Sequence, residues 1–317
     1  MIALSAIREA ASRIAGKVYR TPLLSSRSIG ERAGVRVYLK CENLQRTGSF
    51  KPRGALNKVL SLTPQERARG LVTVSAGNHA QAVAWAARIA GAAATVVMPE
   101  EAPRSKLDAV RGYGAEVILH PDRDTLFDRL NAVREERGLT FVHPFDDPVV
   151  LAGAGTTGLE ILEDLPEADV ILVPVGGGGL LGGIASAVKQ MRPSARVIAV
   201  ELEAGPGLGP ALAAGQPLKV SRPNDTLADG MTPPFVGALP LAIAREAVSE
   251  VLTVSEADII EGMRWLMTRA KLYVEGSGAA TVGALLAGKV PGLAPETRVV
   301  AVVSGGNLDL DRVPRER

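Results

Sequence analysis

Apolar positions along this chain follow two different spacings. Short β-branched and aliphatic runs at 35–40, 71–74, 94–98, 116–119, 170–175, 197–201 and 299–303 predict strands. Between them, 55–62, 80–90, 104–111, 125–137 and 180–191 are Ala-rich or place apolar residues three or four apart, which predicts helices. The first 17 residues carry Arg8, Glu9 and Arg13 among apolar positions spaced like one helix face, without the apolar core of a signal peptide. Strands alternating with helices of this length imply βαβ units, a mostly parallel sheet and right-handed crossovers, so the expected class is α/β. Residues 170–188 lack charge and are long enough to imitate a membrane span, but Pro174 and a cluster of glycines split them into strand, turn and helix. Residues 203–215 read as a surface loop followed by a short helix, and 233–240 as a second loop.

Composition narrows the picture. At 317 residues the chain suggests two domains, and 46% hydrophobic with 22% charged residues permits a sizeable core and excludes disorder or collagen. A net charge of +2 speaks against a nucleic-acid partner. The lone Cys41 rules out an internal disulfide or Cys-rich metal site and fits a reducing cytoplasm. His79, His120 and His143 are scattered, so a zinc site would need carboxylates. The 34 glycines are the unusual feature, because clustered glycine marks close backbone approach.

Ligands of open α/β sheets bind beyond the carboxyl ends of strands. Three turns there carry chemistry. Gly176, Gly177, Gly178 and Gly179 with Leu180 run from a strand into a helix, and their bare N–H groups suit a phosphate without any Lys or Arg. No Gly-Lys-Ser/Thr follows, which disfavours Walker-type ATP hydrolysis. Ser75-Ala76-Gly77-Asn78-His79 opens a helix with donors for a carboxylate, although plain N-capping by Ser75 or Asn78 explains it equally well. Ser304-Gly305-Gly306-Asn307 places a hydroxyl at a strand end. A further pattern, Gly153 to Gly158, matches G-x-G-x-x-G but lacks a proper preceding strand and an acidic ribose partner. It reads better as the start of a helix over 157–165, packed on the sheet.

Lys51 precedes Pro52, a residue suited to the first turn of a helix. An ammonium there faces the positive end of the helix dipole, a poor place for a structural lysine and a good one for an amine that must be neutral. Read alone, a solvated surface lysine is the commoner explanation.

Taken together, Ser49-Phe50-Lys51-Pro52-Arg53-Gly54, the Ser75–His79 motif, the glycine turn and Ser304-Gly305-Gly306-Asn307 resemble, in order and spacing, pyridoxal-phosphate enzymes of fold type II. The branch is that of threonine dehydratase and serine racemase, and the resemblance covers nearly the whole chain. It implies two domains, each with a mostly parallel twisted sheet flanked by helices. Residues 1–50 and 148–317 would form the large cofactor domain and 51–147 the small substrate-side domain. It implies pyridoxal 5'-phosphate as cofactor, an amino-acid substrate, a homodimer and a cytoplasmic location. The activity implied is α,β-elimination of L-threonine or L-serine to 2-oxobutanoate or pyruvate plus ammonia.

Carried over residue by residue, Lys51 would hold the cofactor as a Schiff base and remove the substrate α-proton. Phe50 would pack on the pyridine ring, Asn78 would bond its 3-hydroxyl, and Ser304 would meet its nitrogen. Gly176, Gly177, Gly178, Gly179 and Leu180 would cradle the phosphate, while Ser75, Ala76, Gly77, Asn78 and His79 would surround the substrate carboxylate. A serine at the ring nitrogen does not keep it protonated, which favours loss of a β-substituent over transamination.

Three departures matter. Racemases of this branch carry a serine where this chain has Ala76, so racemisation should be low. Family members with a divalent-cation site use a Glu and an Asp six positions later; here these are Glu201 and Gly207, so no metal is expected. Glu-Pro-Ser-Gly becomes Glu275-Gly276-Ser277-Gly278, and Asp229-Gly230 fits a family loop near the substrate or a simple turn cap. His120, His143 and Cys41 read as structural, and Trp85 and Trp265 as core. No regulatory domain is expected after Asn307. The rivals are a dehydratase of hydroxyaspartate or phenylserine, a serine racemase, a nucleotide-dependent oxidoreductase resting on Gly153–Gly158, and a non-catalytic sensor.

Overall fold

The computed structural model describes residues 1–221, 223 and 225–313. Ten strands are formed among them: β1 (Leu23–Ser25), β2 (Arg36–Cys41), β3 (Leu71–Val74), β4 (Ala94–Pro99), β5 (Glu116–His120), β6 (Thr140–Phe141), β7 (Val170–Pro174), β8 (Arg196–Leu202), β9 (Glu250–Val254) and β10 (Arg298–Val303). They make a six-stranded sheet, β1-β2-β10-β7-β8-β9, and a four-stranded sheet, β5-β4-β3-β6. Every pairing is parallel except that of β1 with β2. The class is α/β, with helices covering both faces of each sheet.

The β7 run explains why alternation was invisible in the sequence. Ile171 and Val173 enter one apolar cluster, Val170 and Leu172 the other, and all are buried. A strand covered on both faces needs apolar residues at every position. The same holds for β3 and β4. The seven predicted strands are all present, each end within one residue. The short β1 and β6 and the edge strand β9 were not predicted.

Helices also follow the expected order, with three corrections. The helix expected over 55–62 begins at Lys51, since Pro52 is accepted in its first turn. Ala238 starts a helix inside the loop expected over 233–240. The largest change concerns 157–165: the helix is Pro148–Asp164, opened by Asp147, whose carboxylate accepts from Val149 N at 2.8 Å and Val150 N at 3.1 Å. Gly153 and Gly158 therefore lie inside it. A Cβ on Gly153 would fall 2.3 Å from the Arg53 carbonyl oxygen, and one on Gly158 would fall 2.9 Å from Ala187 Cβ. These glycines let three helices approach closely, so the G-x-G-x-x-G match packs helix on helix and neither ends a strand nor faces a phosphate. Among the described residues no helix is long and apolar enough to cross a membrane.

Candidate active site

The segment leading to Lys51 is shaped by two positive φ angles, Thr47 at 56° and Gly48 at 74°. A Cβ on Gly48 would strike Asn307 Oδ1 at 2.4 Å, so the turn requires glycine. Beyond it, Phe50 N donates to Ser304 O at 3.1 Å, Gly306 N donates to Gly48 O at 2.8 Å, and Ser49 bridges Gly305. The first and fourth motifs are thus stitched together along their backbones. Lys51 opens the helix beneath them. Its Nζ donates to Pro144 O at 2.8 Å and stands 5.1 Å from the Phe50 ring centre. Burial pushes its ammonium down to about 8, because a carbonyl acceptor does not offset lost hydration.

Pro144 also links Lys51 to the glycine turn, for its neighbour Phe145 packs beneath Gly177. A Cβ on Gly177 would meet the Phe145 ring at 2.3 Å, one on Gly178 would meet Pro240 Cβ at 2.6 Å, and one on Gly176 would meet Gly230 O at 2.7 Å. Gly178 further takes φ of 88°. With these walls behind it, the turn exposes backbone only. The N–H groups of Gly176 to Leu180 meet no acceptor among the described residues. Leu180 contributes its N–H alone, since its side chain belongs to the core. The His143 ring holds Phe145 in place: its Nδ1 accepts from Asp146 N at 2.8 Å and Phe145 N at 3.2 Å.

The third turn departs from simple capping. Gly77 is the N-cap of the Asn78–Ala90 helix and no side chain caps it; Ser75 Oγ instead accepts from Gly77 N at 3.1 Å. Asn78 Nδ2 donates to Glu275 Oε1 at 2.7 Å, while its Oδ1 accepts from Asn307 Nδ2 at 2.8 Å. Asn307 N also donates to Glu275 Oε2 at 3.1 Å. Burial and the Asp229 charge push the Glu275 carboxyl up to about 7. His79 Nε2 lies 3.2 Å from Val142 O, so its proton sits there, and burial and nearby Lys51 hold the ring well below its ordinary value. Ala76 stands half-buried between Ser75 and Gly77.

Among the described residues, three buried polar atoms on these segments meet no hydrogen-bond partner: Ser49 Oγ, Ser277 Oγ and His79 Nδ1. Ser304 Oγ donates to Ser277 O at a long 3.4 Å. Orphaned polar atoms on these motif segments are groups that a polar ligand can answer. Sequence reasoning had assigned no part to Pro144 or Lys106, and had named Glu275 and Asp229 without partners. Asp229 pairs with Lys106, whose burial no local pattern foretold. Glu201 accepts from three backbone donors, Gly207 N and Leu208 N at 2.7 Å and Gly209 N at 3.0 Å.

Comparison with known proteins agrees with this geometry. A family model described as pyridoxal-phosphate dependent enzyme matches residues 14–305. The L-threonine ammonia-lyase of Geobacter sulfurreducens is 45% identical over 314 residues, covering 99% of this chain and 77% of that protein. The catabolic L-threonine dehydratase TdcB of Escherichia coli K12 is 44% identical, covering 98% and 95%. Among solved structures, maize serine racemase matches with a TM-score of 0.92 at 37% identity, covering 97% of this chain and 94% of that one.

Proposed function

The chain belongs to the pyridoxal-phosphate-dependent enzyme family, and from that premise we propose that it is a dehydratase, or ammonia-lyase, of L-threonine and/or L-serine. The products are 2-oxobutanoate or pyruvate plus ammonia. The observation that carries this reading is Lys51: a half-buried primary amine, its ammonium pushed down to about 8 by desolvation, held at the junction of the motif turns. The names of the relatives supply the substrate class.

The residues present fit pyridoxal 5'-phosphate. The Lys51 amine would take its aldehyde, the N–H groups of Gly176, Gly177, Gly178, Gly179 and Leu180 would take its phosphate, and the weakly engaged Ser304 hydroxyl would face its ring nitrogen. When bound, the cofactor supplies the electron sink for the pair left at the substrate Cα. Lys51 in its neutral form would hold the cofactor through its aldehyde and would serve as the base for the substrate α-proton. Phe50 supports one face of the ring. Asn78 keeps one N–H and one lone pair beyond its bonds to Glu275 and Asn307, enough to hold the ring hydroxyl. Ser75, Ala76, Gly77, Asn78 and His79 take the substrate carboxylate at a helix N-terminus that no side chain caps. Ala76 has no proton to deliver to the opposite face, which directs the reaction to elimination over racemisation.

The same reading assigns residues 1–50 and 148–317 to a large domain and 51–147 to a small one. In support, β3 to β6 all fall within 51–147 and the other six strands outside it. A homodimer and a cytoplasmic location belong to the proposal through family resemblance. Its test is 2-oxo acid release across a panel of β-hydroxy amino acids, with the visible absorption of the purified holoenzyme as a second measure. We expect turnover of threonine or serine, and loss of both signals in Lys51→Ala. Inactivity on both substrates with turnover of another would overturn the substrate and keep the reaction class. A protein that stays colourless with pyridoxal phosphate and binds NAD would overturn the whole reading.

A further inference from the structure

Lys106 lies on the Arg104–Gly112 helix beside the four-stranded sheet. Its ammonium crosses to the Asp229 carboxylate, on the Asp229–Met231 turn beside the six-stranded sheet. The lysine side chain is 8% exposed, the aspartate 34%. The pair stands directly over the proposed substrate loop: a Cβ on Gly77 would lie 3.5 Å from Lys106 Nζ. The turn that carries Asp229 also touches the rest of the site. A Cβ on Gly230 would meet Ser277 Oγ at 2.8 Å and Glu275 Oε1 at 3.7 Å, and one on Gly176 would meet Gly230 O at 2.7 Å. No step proposed above uses either charge.

An ammonium offers three donors, and among the described residues the acceptor that Lys106 meets is Asp229. A cation buried this far must have an anion beside it. Asp229 supplies that anion while keeping a third of its own surface accessible, so it also repels any second carboxylate entering the cleft.

We infer that the Lys106–Asp229 pair sets the charge class of the substrate: neutral β-hydroxy side chains are admitted, and acidic ones are refused because Asp229 already occupies the buried cation. This deepens the proposed function and rests on its reading of 75–79 as the substrate loop. Without the Asp229 charge, Lys106 would be left buried and unpaired, and a carboxylate on the incoming amino acid becomes its natural partner. The pair therefore acts as a selector rather than as part of the reaction.

The test uses the holoenzyme and its Asp229→Asn variant, with Asp229→Ser in reserve should the first fail to fold. Each is assayed for 2-oxo acid release from 3-hydroxyaspartate and from L-threonine. The variant should raise the kcat/KM ratio of the acidic over the neutral substrate by at least about tenfold, the scale of relieving one like-charge contact. The gain should vanish in Lys106→Met/Asp229→Asn, where the cation is gone too. In a readout without turnover, L-aspartate should raise the melting midpoint of the single variant and leave wild type unmoved. A ratio shift below about twofold, or a double variant that keeps the gain, overturns the inference. Wild-type inactivity on threonine and serine would instead count against the proposed function, and L-aspartate binding would still decide the selector.

Discussion

Two groups of buried charges flank Lys51 and are built on opposite terms. Behind the helix, Arg53 reaches Glu42 through Nε at 2.7 Å and Nη2 at 2.8 Å, and Glu160 through Nη1 at 2.6 Å and Nη2 at 2.8 Å. Lys40 completes the set, donating to Glu160 at 2.6 Å and to Thr21 O at 2.7 Å. Two cations answer two carboxylates. Burial alone would lower the Arg53 pKa, but Glu42 and Glu160 outweigh it and raise it. On the cleft side, Glu275 has amide partners, Lys106 is taken by Asp229, and among the described residues no cation bonds Glu275 and the Ser277 and Ser49 hydroxyls meet no partner. The ingredients are alike. Complete pairing anchors the lysine helix to the large sheet, whereas incomplete pairing leaves groups for a ligand to answer.

Breaking the anchored side should have the largest effect. Arg53→Met leaves Glu42 and Glu160 facing Lys40 alone, and urea unfolding should show a loss of about 3–5 kcal/mol. A loss under about 1 kcal/mol would erase the contrast between the two groups.

The cleft side should respond to pH instead. Glu275 holds its proton up to about 7 in the folded chain, against about 4.3 when unfolded. Folding therefore binds a proton between those values, so this carboxyl's contribution is complete at acidic pH and is lost as pH rises through about 7. Glu275→Gln should flatten the dependence of the melting midpoint over that window. Parallel curves for the variant and wild type would show that Glu275 is not the group responsible.

Glu201 sharpens the comparison from outside both groups, being a buried carboxylate answered by backbone donors. Glu201→Gln weakens charge-assisted bonds without stranding a charge, so thermal unfolding should record only about 1–2 kcal/mol. Dialysis against EDTA should leave 2-oxo acid release unchanged. Activity lost to EDTA and restored by a divalent cation would contradict a site closed by Gly207, Leu208 and Gly209.

Much of this was legible in one dimension, for reasons that particular residues make plain. The runs forming β3, β4 and β7 are buried on both faces and so carry an unbroken apolar signal. Gly276–Leu286 escaped detection for a related reason: a helix buried nearly all round has no polar face to mark its period. The start of Pro148–Asp164 was hidden by glycines that resemble a loop and serve helix contact. At the site, the motif turns were readable because strand-to-helix turns need glycine and capping residues at fixed positions. Lys106 was not, since it sits among Arg104, Asp108 and Arg111 on a polar helix. Only the approach of Asp229 from the other sheet gives it meaning.

The strip joining Ser49 and Phe50 to Ser304 and Gly305 has a consequence for biosynthesis. During translation Lys51 emerges long before β10, the strand that inserts between β2 and β7. Closing that long loop is slow compared with local helix formation. A nascent chain can form the four-stranded sheet well before the lysine gains the surroundings that depress its pKa. Assembly of the reactive centre therefore waits for β10, and an incomplete chain lacking that strand would hold an ordinary, protonated lysine.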